Sequence, residues 1–170
     1  MKSVALVIGL LISIAVDAQD NILLKNSCVI DTVVRYGAGI SPTYRKAVCT
    51  ELVIRIIEKF YPLDKTDKSR VRIITNESIR DLLAADSPVT KGVYYALTEK
   101  GIGDPVDSLQ QVRPGDFVQF WTETWGHCGI VKNIDCETGV MELYSSFPST
   151  DGYGVQTFKI PKYCFFVRLK

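Results

Sequence analysis

Cys49 and His127 are the two residues of this chain whose pairing would do chemistry, and His127 is its only imidazole. A thiol attacks a carbonyl carbon only as thiolate, so a nucleophilic cysteine needs a helix N-terminus to favour its charge and an imidazole to take its proton. Cys49 stands in "AVCTELV", in the first turn or two of an apolar-periodic run, on the side shared by Leu52, Val53 and Ile56. Backbone N–H groups at such a helix end, including its own, are placed to hold the oxyanion of a tetrahedral intermediate. His127 stands in "WGHCGIV", opening a strand just after a turn, where Gly126 and Gly129 leave room for another element to approach. The adjacent Cys128 points to the opposite face of that strand and is expected to pack or bridge rather than attack. Cys28 is the rival nucleophile, but it lies within a helical pattern rather than at a helix start.

Other chemistries lack their residues. With one His and no Cys-x-x-Cys pair, zinc ligands of ordinary spacing are missing, and neither metal nor cofactor is expected. No Gly-x-Ser-x-Gly elbow exists, and "YGAG" and "GYG" are too weak to form a nucleotide loop. Lys and Arg number 20 against 19 Asp and Glu, a net charge of +1 that gives no field to gather nucleic acid or an acidic membrane. Function is therefore sought in a site on a monomer.

The elements that must position the pair follow from hydrophobic period. "NILLKNSCVIDTVVRYGAG" reads as a first helix ending at Gly37 and Gly39, and "SPTYRKAVCTELVIRIIEKFYPL" as a second, closed by Pro62. "TNESIRDLLAA" is a short capped helix, and "SPVTKGVYYALTEKG" is another, with Ser87 as N-cap, Pro88 at its first position and Gly101 past its end. Strands follow: "DFVQFW", "HCGIVKNI", "GVMELYSS", "GVQTFKI" and "CFFVRLK", separated by "RPGD", "ETWG", "DCETG" and "STDGYG". Helices first and turn-linked strands second predict an α+β fold, with N-terminal helices packed on a C-terminal antiparallel meander.

The N-terminus differs in kind. Lys2, an uncharged stretch from Ser3 to Val16, and the small Ala18 read as a secretory signal over residues 1–18, leaving one domain over 19–170. The apolar run is short for a membrane span and no cysteine stands just after the cleavage region, so export to the periplasm or outside, without stable membrane insertion, is expected. An oxidising compartment favours disulfides. Keeping one of the five cysteines reduced leaves Cys28, Cys128, Cys136 and Cys164 for at most two bridges, with the pairing open.

Taken in order, "YGAG", "AVCTELV" on a helix, "VRPGDFVQFW" and "GHCGIV" resemble the NlpC-type papain-like cysteine peptidases and their CHAP relatives, over residues 33 to 147. The resemblance implies a papain-like fold and makes Cys49 the nucleophile and His127 the base that later protonates the leaving amine. It places Tyr36 near substrate and oxyanion, and gives Asp116 a turn-stabilising role. The family orients its base with His, Asn, Asp or Gln on the following strand. "GVMELYSSFPS" offers none of these, so Ser146 is the candidate, with Ser145 and Glu142 as alternatives. Trp125, Trp121, Tyr144 and the "STDGYG" loop are candidates to line the groove. The implied substrate is the peptide stem of peptidoglycan. Two other readings remain: a catalytically silent papain-fold protein that binds cell-wall peptides, and a disulfide-stapled interaction domain.

Overall fold

In the computed structural model, which describes residues 24–170, helices pack on one antiparallel sheet, an α+β arrangement. The expected signal lies outside the described residues. Helix α1 spans 24–40 and buries Val29 and Val33. It runs through Gly37 and Gly39, where the sequence predicted its end. A Cβ on Gly37 would lie 2.4 Å from the Tyr153 ring, so this glycine serves close packing rather than a positive φ.

Helix α2 (Cys49–Ile57) buries Leu52, Val53, Ile54, Ile56 and Ile57. Residues 41–48, expected to begin this helix, instead form bends and turns, so Cys49 is its first residue. Helix α3 (Lys65–Arg72) has no sequence counterpart above. It buries little apolar surface, only Val71, and depends on a capping box between Asp64 and Asp67. Helix α4 (Ile79–Ala84) is capped by Ser78. The helix predicted after Ser87 is broken into a 3-10 turn, Pro88–Lys91, and helix α5 (Val93–Glu99). Gly92 makes the break at φ +46°, and a Cβ there would meet Gln119 Oε1 at 2.6 Å.

The sheet contains β1 (Gly103–Val106), β2 (Phe117–Trp121), β3 (Gly126–Asp135), β4 (Val140–Phe147), β5 (Gly152–Lys159) and β6 (Tyr163–Leu169). Its order is β1-β6-β2-β3-β4-β5. The meander holds from β2 to β5, but β6 returns to pair with the free edge of β2, and the unforeseen β1 closes that side. Helix α2 packs on β3 and β4, and α5 on β1, β2 and β6. One core lies between helices and sheet and includes Cys128 and Ile130; a second, on the other face, includes Phe120, Val131, Leu143 and Phe147. Alternation along β3 therefore turns Cys128 toward the helices and His127 toward the second layer.

Asp116 ties the two halves together. Fully buried, it accepts from Arg168 Nε and Nη2 (both 2.8 Å), from Asn26 Nδ2 (2.9 Å) and from the Arg113 N–H (2.9 Å). The last is the turn-stabilising bond expected of the Pro-Gly-Asp turn; the others join α1 and β6 to it. Removing one partner of a buried ion pair strands the other charge. Asp116→Ala is expected to lower unfolding free energy by about 3 to 5 kcal/mol, read from urea denaturation curves.

Candidate functional site

The first turn of α2 has an unusual cap. Its N-cap is Val48, whose side chain cannot accept a hydrogen bond, so no side chain satisfies the leading N–H groups. An anion at Cys49 is favoured by these donors and by the positive end of the helix dipole. The preceding segment is held from the sheet. Ser41 and Ser146 hydroxyls both donate to the Ala47 carbonyl, at 2.7 and 2.6 Å, and lie 2.8 Å apart. The Tyr153 N–H donates to the Ser41 carbonyl at 2.9 Å.

Cys49, His127 and Cys128 line one cavity of about 220 Å³, with Thr50, Gln119 and Trp121. The Cys49 thiol is held down to about 4, first by hydrogen bonding with the Cys128 thiol, against the opposing cost of burial. The His127 ring adds a hydrogen bond and a favourable charge, and a Cys128 backbone bond contributes less. Cys128, fully buried, is pushed the other way by its hydrogen bond with Cys49 and by desolvation. The two sulfurs thus divide one ionisation: Cys49 carries the charge and Cys128 keeps its proton. The strand's alternation leaves Cys128 in the same cavity as Cys49. It keeps Cys128 out of His127's layer, while the end of α2 reaches both.

His127 is 6% exposed, and its Nε2 is buried without a hydrogen-bond partner. Nδ1 is then the ring nitrogen left to serve the thiol. Aromatic rings fix the imidazole: Phe147 stacks on it at 4.8 Å and 14°, and Phe120, Trp125 and Phe158 stand at 5.9, 6.0 and 6.2 Å. None of the residues considered as the orienting partner reaches the ring. Ser146, on the helix side of β4, is committed to Ala47 and Ser41. Ser145 donates to the Cys128 carbonyl at 2.7 Å. Glu142 pairs with Lys132 at 3.6 Å and stands opposite Asn133, farther along β3. The structure thus places Ser146 on the approach to Cys49, bonded to Ala47 and Ser41 rather than to His127.

Tyr36 is not brought to the thiol either. Its ring receives Lys59 (4.7 Å) and Arg35 (5.4 Å). Lys59 lies ten residues beyond Cys49, just past α2, a distance of about 15 Å along a helix. Tyr44, which sequence reasoning passed over, is nearer: after desolvation, the negative charge of the Cys49–Cys128 pair is what raises its hydroxyl. A tyrosine five positions before the candidate nucleophile was the only signal for it.

Trp121 and Trp125 line a second cavity of about 530 Å³, with Ile79, Arg80 and Leu83 of α4. It shares Ile79 and Trp121 with the Cys49 cavity, giving a groove that leads away from the sulfur. The Trp121 indole is fixed by donating to the Thr90 carbonyl at 2.7 Å. Tyr144 instead stacks on Tyr153 at 6.3 Å, and the "STDGYG" loop holds the 41–48 segment, with the Tyr44 N–H donating to Asp151 Oδ1. Gln119 and Arg72 also line the Cys49 cavity, and neither was singled out in the sequence.

All five cysteines are free thiols, so the expected bridges are not formed in this structure. Among the described residues, no group of three His, Cys, Asp or Glu is placed to hold a metal, and no helix is long and apolar enough to cross a membrane. Scanned against family models and curated proteins, the chain finds no match.

Alkylation follows thiolate population, so the sign is fixed: the rate is full above the Cys49 pKa and falls as pH drops through it. Iodoacetamide labelling of Cys49, followed by peptide mass spectrometry, should titrate near pH 4. His127→Ala and Cys128→Ala should each raise that midpoint. Ser146→Ala should leave it in place while lowering stability by about 1 kcal/mol.

Proposed function

We propose that the protein is a papain-like, NlpC-type cysteine amidase or endopeptidase that hydrolyses amide bonds in peptidoglycan stem peptides. The observation that carries this reading is the Cys49 thiol, held as thiolate at an uncapped helix N-terminus beside the only imidazole, at one end of a groove. The order of motifs around both residues supports the family. The apolar, cleavable-looking N-terminus supports an exported enzyme that would meet the substrate outside the cytoplasm.

In the proposed reaction the Cys49 sulfur attacks the carbonyl carbon of a bound amide. Negative charge moves to the carbonyl oxygen, against the free N–H groups of the first turn of α2. His127 holds the proton on Nδ1 as imidazolium and delivers it to the leaving amine, so that the C–N bond breaks and an acyl-cysteine remains. Neutral His127 then takes a proton from water as its oxygen attacks the thioester, and Cys49 leaves as thiolate. Cys49 and His127 are the catalytic residues of this scheme. Trp125 would contact substrate along the groove, since it is exposed and edges the imidazole.

A second reading, a silent member that binds wall peptides without cutting them, is favoured by the missing partner on His127 Nε2. One experiment separates them. The purified protein is incubated with isolated muropeptides, and new amine termini are followed by chromatography and mass spectrometry. The amidase reading expects turnover that falls at least about a thousandfold in Cys49→Ala. Turnover equal in both proteins, or muropeptide binding with no turnover in either, would overturn it.

A further inference from the structure

Cys128 is a buried thiol that the proposed hydrolysis does not use, yet it stands against the sulfur that hydrolysis needs. Cys49 opens α2, which packs on β3, and Cys128 points from β3 into the same helix-facing core. Both line the 220 Å³ cavity. Their exposures differ: Cys49 is partly open through the cavity, and Cys128 is closed to solvent. The other three cysteines are elsewhere. Cys28 and Cys164 line two separate cavities, and Cys136 sits in the turn after β3, bonded to the Leu109 carbonyl.

We propose that Cys49 and Cys128 form a hydroperoxide-reactive thiol couple, in which Cys49 is the oxidised residue and Cys128 the resolving one. The Cys49 thiolate attacks the terminal oxygen of a hydroperoxide. The O–O bond breaks, the alkoxide takes a proton to leave as an alcohol (water, for hydrogen peroxide), and Cys49 becomes a sulfenic acid. Cys128 then gives up its proton and attacks the Cys49 sulfur. The S–O bond breaks, hydroxide leaves with that proton as water, and a Cys49–Cys128 disulfide remains. In sum, two thiols lose two electrons and two protons, and one hydroperoxide is reduced to alcohol and water. Burial of Cys128 fits the resolving role, because bulk oxidant cannot reach it while the adjacent sulfur can. The disulfide consumes the nucleophile of the proposed amidase and shields it from irreversible oxidation until a dithiol reductant restores it.

The couple depends on the adjacency of the sulfurs and not on the amidase reading, so its test is by mass. Protein reduced with dithiothreitol and desalted is given equimolar hydrogen peroxide near neutral pH, alkylated, digested with trypsin and mapped. The expected product joins the Cys49 and Cys128 peptides, about 2 Da lighter than the two thiols together. Cys28, Cys136 and Cys164 should be alkylated, and dithiothreitol should reverse the link. In Cys128→Ser the link is absent and Cys49 is trapped by dimedone as sulfenic acid. The proposal is overturned if wild-type Cys49 stays reduced, advances to sulfinic acid without a link, or joins any other cysteine. Muropeptide turnover, measured on the same samples, reports separately on the amidase reading.

Discussion

The site depends on how a helix with no N-terminal cap of its own is held against a sheet. A first turn capped by Val48 would fray in isolation, since its N–H groups have no internal acceptor. Here the turn is secured from behind. The Ala47 carbonyl takes two serine hydroxyls, one from β4, and the segment before it is bonded to β5. Buried hydroxyl bonds to one carbonyl are worth about 1 kcal/mol each, small beside the apolar face of α2, but they fix where that face ends. The donors a capping side chain would have occupied remain open toward the cavity, and Cys49 sits among them.

Much of this was legible in the sequence. Periodicity located α1, α2, α4 and five of the strands, and a thiol at a helix start with a histidine at a strand start identified the two residues the structure brings together. What was missed depended on contacts between distant segments. Gly37 looked like a stop because glycine ends helices, but its missing side chain is filled by Tyr153 from β5. Gly92 falls inside the stretch read as a single helix, but a Cβ there would meet the Gln119 side chain of β2. Helix α3 carries too little apolar periodicity to be seen, and β1 contains a proline at an edge, where a strand needs no donor on its outer side. Tyr36 and Ser146 were placed at the site by motif order. Motif order gives position along the chain, not the face of the element or the distance across the fold; the face decided Ser146 and the distance decided Tyr36.

The face also explains why His127 lacks an orienting hydrogen bond. On β3 it points into the second apolar layer, where its cross-strand and neighbouring side chains are Phe120, Phe147, Phe158 and Trp125. A polar partner there would itself need burial in an aromatic cluster. Packing can hold the ring as firmly as a hydrogen bond does, because a stacked imidazole cannot rotate without displacing phenyl groups. Phenyl faces also attract an imidazolium by about 0.5 to 2 kcal/mol, though that does not replace the acceptor that a buried N–H forgoes, worth about 1 to 3 kcal/mol.

That balance shifts the burden of making a thiolate from the imidazole to the sulfur's own neighbours. An imidazole with a carboxylate behind it can hold a thiolate chiefly by charge. With phenyl rings behind it, the larger contribution must come from donors at the sulfur, and the first cause of the low Cys49 pKa is the Cys128 thiol rather than His127. The backbone donors of α2 act in the same place. A thiol is a weak donor, but where burial opposes the charge a donor already in place costs no reorganisation. The same contact that stabilises the thiolate puts a second sulfur within reach of the first. In this site, stabilisation of the Cys49 thiolate and the nearness of a second sulfur therefore arise from one arrangement, and Cys128 cannot be replaced to remove the second without weakening the first.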